Sequence, residues 1–294
     1  MENNELMQIL DQMEIHPIRT VTQFRNHEDG EAYQVWRIDT PESSFVLKQA
    51  KAYERETYEA FFSQPTSHGP QCLKCVTWDG KDYLLLSFVP GHDLMHCTRE
   101  DLTRTLDSLA DMQTQWWGNQ EKADVGQSFQ RSLEGRRNRL KYLHDPMLEA
   151  VYQDYLEAYC AMPRTLCHDD LLPFNVLVSD KGAVFIDWEY GGILPYLTSI
   201  ARLIAHGSED EEAFFWMSHE DKQFAKEYYF KKCVKPMGIS RELYEKHLDL
   251  FLFYEYCEWI YVGNKFGDMD NDRFRKYLNM AKEMAIKLGH LSGK

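Results

Sequence analysis

The sequence has no excess of basic charge. Its 294 residues carry 33 Lys and Arg against 47 Asp and Glu, a formal net charge of −14. A surface of that sign repels phosphate backbones and anionic headgroups, so nucleic acid and membrane surfaces are disfavoured as partners. It suits cations, whether metal ions or small organic molecules, although acidity also serves plain solubility. There is no long hydrophobic run either: the most apolar stretch, 251–262, is interrupted by Glu255 and Glu258 and is too short to span a bilayer. Residues 1–10 carry Glu2 and Glu5 and lack the basic and apolar regions of a signal peptide, which points to a cytoplasmic protein. The seven cysteines are odd in number and scattered, as expected of reduced thiols. Cys72 and Cys75 form a CxxC with His92, His96 and Cys97 downstream, but no second closely spaced pair completes a zinc set, and we expect ordinary thiols there. No GxxxxGK[ST] occurs, which excludes a P-loop.

What is present is an ordinary globular composition: 44% hydrophobic, 14% aromatic and 27% charged residues, enough for a sizeable core. Residues 18–24 and 32–38 alternate apolar and polar around an Asp29-Gly30 turn signal, and 45–48 continues the pattern. A helix is predicted over 52–62, stopped by Pro65. Strands follow over 72–78 and 83–88, joined at Asp79-Gly80. The second, YLLLSF, is apolar almost throughout, as a strand covered on both faces should be. Val89-Pro90-Gly91 ends this region, and the remainder is mainly helical (100–117, 127–144, 145–159, and most of the chain after 200). The prediction is an α+β fold in two lobes, 1–88 and 89–294, the second interrupted by one strand pair at 176–188.

That strand pair carries the chemistry. LCHDDLLPFNVLVS runs from Leu166 to Ser179, turns at Asp180-Lys181-Gly182, and returns as AVFIDWE, 183–189. A turn centred on Lys181 places Asn175 opposite Asp187 on one face, with Val176, Val178, Val184 and Ile186 on the buried face. An amide oxygen and a carboxylate side by side suit Mg²⁺. Asp170, on the loop entering the hairpin, is placed to accept a proton from an attacking hydroxyl. Base, amide and metal carboxylate together form a minimal set for phosphoryl transfer from a nucleoside triphosphate to an alcohol. Lys48, at the end of strand FVLK, is the candidate for holding the phosphates. It needs a carboxylate partner, for which Glu56 and then Glu59 on the following helix are the candidates. His168 is expected to be structural.

At these residues the chain resembles the phosphotransferase family that includes aminoglycoside phosphotransferases and choline, ethanolamine, thiamine and methylthioribose kinases, whose fold is protein-kinase-like. LCHDDLLPFNVLV resembles the family's catalytic loop, AVFIDWEYGG its metal-binding strand, YLLLSFVPG its interlobe strand, and FVLK with Arg55-Glu56 its lysine–glutamate pair. The resemblance implies Asp170 as catalytic base, Asn175 and Asp187 as Mg²⁺ ligands and Lys48 on the nucleotide phosphates. Backbone groups near Ser87 and Val89 would receive the purine of ATP or GTP. Two departures stand out: the 26–31 loop has a single glycine, Gly30, and 195–199 (PYLTS) lacks the aspartate common in the family.

The acceptor should lie near Asp170. In the segment 251–263 the residues Glu255, Glu258, Trp259 and Val262 form one helical stripe, where carboxylates among rings would hold an ammonium ion. Glu189 is a further candidate contact, and Asp268, Asp270 and Asp272 add negative charge nearby in sequence. The expected function is Mg²⁺-dependent phosphorylation of a small cationic alcohol such as an aminoglycoside, an amino sugar or choline. The competing reading is a non-catalytic binding or coat protein that keeps the fold.

Overall fold

Five antiparallel strands carry the first third of the chain: β1 (Thr20–Arg25), β2 (Ala32–Asp39), β3 (Ser44–Gln49), β4 (Cys72–Trp78) and β5 (Lys81–Ser87), in the order β1-β2-β3-β5-β4. The computed structural model describes residues 3–26, 30–119, 121–208, 215–267 and 269–289. Both faces of the sheet are covered. Helix α1 (Asn3–Gln12) lays Leu6, Ile9, Leu10 and Met13 on Trp36, Ile38, Leu47, Tyr83 and Leu85. The opposite face receives α2 (Glu54–Phe61), whose Tyr58 and Phe61, with Phe62, pack with Leu84 and Leu86. This two-sided burial is why YLLLSF lacks alternation, and each such side chain contributes about 1.5–3 kcal/mol. β3 puts Leu47 toward α1, so Lys48, its neighbour in the pleat, points to the α2 side, opposite Leu84.

The α1 helix was not anticipated, although 6, 9, 10 and 13 have helical spacing. The helix expected from residue 52 starts at Glu54, because Ala52 takes φ 41°. Of the 26–31 loop, residues 27–29, and with them the Asp29 of the expected Asp29-Gly30 turn, lie outside the described residues, while Gly30 takes φ 73° and its N–H donates to the Asn26 carbonyl at 3.0 Å.

Beyond Ser87 the linker turns onto the hairpin at 176–185. His92 and Val178 exchange both backbone hydrogen bonds, at 3.0 and 2.8 Å. Gly91 permits that approach, since a Cβ there would sit 2.8 Å from the Val178 carbonyl oxygen. The helical part comprises α3 (Arg99–Gln115), α4 (Ser128–Leu140), α5 (Pro146–Ala161), α6 (Leu197–Ala205), α7 (His219–Tyr229), α8 (Arg241–Phe266) and α9 (Asp272–Lys287). Five of these starts are set by caps: Thr98, Asp145, Ser218, Ser240 and Asn271 each accept a backbone N–H of the first turn. Two short sheets sit among the helices. β6 (Arg164–Cys167) pairs with β9 (Gly192–Pro195), a pairing the sequence pattern did not reveal, and β7 (Val176–Ser179) pairs with β8 (Gly182–Phe185).

The β7–β8 register differs from expectation by one residue. The turn is the two-residue Asp180-Lys181, so Val176 faces Phe185 and Ser179 faces Gly182. A one-residue slip exchanges faces. The buried set is therefore Val176, Val178, Ala183 and Phe185, while Val184 and Ile186 leave it. Asn175 lies opposite Ile186, whose N–H donates to the Asn175 carbonyl at 2.9 Å, and Asp187 follows outside the ladder.

Candidate active site

β6 leads into the His168–Asn175 loop, and buried bonds hold it. The His168 N–H donates to Ser199 Oγ on α6 at 2.9 Å, so a serine in the 195–199 stretch supplies an anchor for the loop. Within the His168 ring, Nε2 donates to the Ile186 carbonyl at 2.7 Å and Nδ1 accepts the Asp170 N–H at 3.3 Å. Burial pushes its pKa down, in keeping with a neutral ring that staples loop to hairpin. Asp169 is held by Arg136, which donates to both its oxygens, at 2.6 and 3.0 Å. Arg136 is 2% exposed, lies between the rings of Tyr159 and Tyr254 and bonds Tyr155 Oη at 2.6 Å. A buried ion pair of this kind costs about 3–5 kcal/mol to break from one side.

Asp170 itself sits at the mouth. Arg202 donates to Oδ1 through Nε at 3.1 Å and Nη2 at 2.8 Å. Among the described residues Oδ2 is left with a single long contact, 3.5 Å from Asn175 Nδ2. Asn175 lies in a short 3₁₀ turn (Pro173–Asn175), and its Nδ2 donates to the Asp170 carbonyl at 2.8 Å. Its Oδ1 takes no hydrogen bond among the described residues. The amide is thus oriented with its oxygen available. Asp187 adopts φ 64°, ψ 63°, a left-handed conformation that costs a non-glycine residue about 1–2 kcal/mol and that the fold sustains at this position.

Lys48 joins the two lobes' charges. It is 7% exposed and donates to Glu54 Oε1 at 2.6 Å and to Asp187 Oδ1. Burial opposes its charge, but Asp187 and Glu54 hold its pKa above the ordinary lysine value. Burial likewise opposes the Asp187 charge, and Lys48 outweighs it, holding that carboxyl below the usual range. Glu54, fully buried, is shifted upward by burial. The lysine's partner is therefore Glu54, and not Glu56 or Glu59. Both of those are exposed, because α2 turns its Glu54 and Tyr58 face inward. Glu189 is taken by Lys51, at 2.9 Å.

A cavity of about 300 Å³ opens beside Asp170, lined by Arg139, Asp169, Asp170, Tyr190, Arg202, Tyr254, Glu255 and Glu258. Two expected acceptor residues, Glu255 and Glu258, line it. Trp259 does not: it stacks on Tyr277 of α9 at 5.5 Å, and its Nε1 donates to His206 Nδ1 at 3.1 Å. Glu189 is also absent from the wall. Burial disfavours the charge of Glu258, yet Arg139 and Arg202, each 3.0 Å away, bring its pKa down to about 2. Arg139 and Arg202 were missed in the sequence, as their carboxylate partners lie on a distant helix. Asp270 and Asp272 do not line the cavity, and Asp268 lies outside the described residues.

At the linker, Ser87 N–H is committed to the Gln71 carbonyl at 2.9 Å, and its hydroxyl accepts the Gln71 N–H at 2.9 Å. The Val89 N–H and C=O have no backbone partner among the described residues. The Cys72 and Cys75 sulfurs are 3.3 Å apart as free thiols. No group of three or more His, Cys, Asp or Glu with metal-holding geometry occurs among the described residues, and no helix there is long and apolar enough to cross a membrane.

A small antiparallel sheet with an ion-paired strand lysine, set over a helical region bearing an HDD loop and a DWE hairpin exit, is the α+β fold of kinase-like phosphotransferases. The chain belongs to the phosphotransferase enzyme family, which residues 23–229 match. It is 30% identical over 141 residues to Protein LicA of Haemophilus influenzae, an alignment covering 48% of this chain and 49% of that protein. The chain thus spans about half the length of the curated relatives it matches. Among solved structures, a choline kinase from Cryptosporidium parvum Iowa II superposes with a TM-score of 0.60 at 16% identity, over 99% of this chain and 98% of that one. A thermostable mutant of the aminoglycoside phosphotransferase APH(4)-Ia, in ternary complex with AMP-PNP and hygromycin B, gives 0.58 at 13% identity, over 96% and 98%. At these identities the likeness is one of fold.

Proposed function

We propose that the chain transfers the γ-phosphoryl group of ATP or GTP to a hydroxyl of a small cationic molecule, in a Mg²⁺-dependent reaction. One observation carries the reading: Asp170, whose Oδ2 makes only a 3.5 Å contact with Asn175 among the described residues, lines a cavity walled by four carboxylates against two guanidinium groups. The acceptor's cationic group binds against that surplus, with Tyr190 and Tyr254 as ring surfaces. Its hydroxyl gives its proton to Asp170 Oδ2 as the oxygen–phosphorus bond forms. The bond from the γ-phosphorus to the bridging oxygen breaks, leaving a nucleoside diphosphate.

Lys48 turns its ammonium to the phosphates, and Glu54 keeps it extended. Val89 offers backbone groups to the purine, as does the carbonyl side of Ser87. The donor set fits a hard divalent ion: Asn175 supplies a free amide oxygen and Asp187 an ionised carboxylate. Held by Asn175 Oδ1 and Asp187, a Mg²⁺ ion would neutralise charge on the triphosphate.

The test is steady-state phosphorylation of a panel of aminated, neutral and anionic alcohols with Mg-ATP and Mg-GTP. Turnover of the aminated set is expected. Turnover confined to neutral or anionic acceptors contradicts the charge argument, and absence of any nucleotide-dependent product would favour the non-catalytic reading.

A further inference from the structure

The acceptor cavity contains a cation that the family motifs did not predict. α6 carries Arg202 into the space between the catalytic loop and α8, where its guanidinium meets three carboxylates at once. Nε and Nη2 hold Asp170 Oδ1, and Nη1 lies 2.9 Å from Glu255 Oε2 and 3.0 Å from Glu258 Oε2. Glu255 is only 2% exposed and also receives His206 Nε2 at 3.0 Å. Of the remaining wall charges, Asp169 is neutralised by Arg136 from behind, and Arg139 is paired with Glu258. With Arg202 counted, the cavity keeps a surplus of a single negative charge. Its volume, about 300 Å³, is at the small end of ligand sites, which span roughly 300–1,000 Å³.

We propose that Arg202 is the specificity residue of this cavity: together with Arg139 it offsets the Glu255–Glu258 pair, so that the site takes a small amino alcohol bearing one positive charge and disfavours polycations. By gripping one oxygen of Asp170 it also positions the base with the other oxygen toward the acceptor. The inference rests on the phosphotransfer reading for the identity of the cavity as the acceptor site.

The test is calorimetric binding of 2-aminoethanol and of 1,3-diamino-2-propanol, one and two charges at pH 7, to the full chain with Mg-AMP-PNP, with turnover measured in parallel on Mg-ATP. Wild type should bind the monocation more tightly. Arg202→Gln should shift the Kd ratio toward the dication by roughly tenfold, the effect of one added unit of negative charge at close range. Arg202→Lys should keep the wild-type ratio while kcat falls, because the charge remains and the fork on Asp170 is lost. The double variant Arg202→Gln, Glu255→Gln should return the ratio toward wild type, and Glu255→Gln alone should weaken the dication more than the monocation. An unmoved ratio in Arg202→Gln, or binding of neither amine to wild type, overturns the inference. Ratios that move as stated without turnover count against the proposed function alone. Turnover with unmoved ratios counts against this inference alone.

Discussion

Two cations bridge carboxylates across the same cleft, and they do so differently. Lys48 brings one nitrogen to Glu54 and Asp187, whereas Arg202 spreads a planar fork over Asp170, Glu255 and Glu258. The lysine is a movable point charge, suited to exchanging a carboxylate for a phosphate. The guanidinium fixes directions, suited to holding a base in one rotamer and setting a cavity's charge. On the proposed reading, the Lys48 side rearranges on nucleotide loading and the Arg202 side stays in place.

Several substitutions sharpen that contrast. The largest effect belongs to the open oxygen between the two clusters. Asp170→Ala should lower kcat on the order of 10³-fold with the nucleotide Kd little changed, as read by single-turnover kinetics and nucleotide titration. Lys48→Met should cost about 10²-fold, and part of the loss should appear in the nucleotide KM, unlike any acceptor-side variant. Glu54→Gln should cost roughly tenfold through misplacement of Lys48, whereas Glu56→Gln should stay within about twofold. Equal losses in those two would mean the wrong carboxylate has been paired with the lysine. The smallest effect concerns stability. Glu258 has a folded pKa of about 2, against an unfolded value of about 4.3. Its stabilisation is complete above about pH 4.3 and is lost as the pH falls toward 2. Denaturant titrations across that window should show a shallower decline in Glu258→Gln than in wild type.

Lys48 and Asp187 were legible in the sequence, as were Asp170, Glu255 and Glu258, whereas Glu54 and Arg202 were not, for physical reasons. Strand alternation, the polar turns and the Asp170–Asn175 spacing are local, and they placed the sheet, the hairpin and the loop within a residue or two. The errors came where one residue's backbone decides. Ala52 at φ 41° delays the start of α2 to Glu54, whose buried face with Tyr58 carries the lysine's partner, and the two-residue turn at Asp180-Lys181 moves the hairpin by one step. The acceptor cavity depends instead on tertiary contacts between α4, α6 and α8, so neither Arg139 nor Arg202 carries a local signal. Trp259 kept its place on the predicted helix, but its face is claimed by His206 and Tyr277.

The most direct test of phosphoryl transfer to a hydroxyl is the product itself. Full-length chain incubated with Mg-ATP and a small amino alcohol should yield, by mass spectrometry and phosphorus NMR, an acceptor heavier by one phosphoryl group carried on oxygen, in step with ADP. ADP formed without a phosphorylated alcohol, or a phosphoryl group found on the amine, would contradict the account.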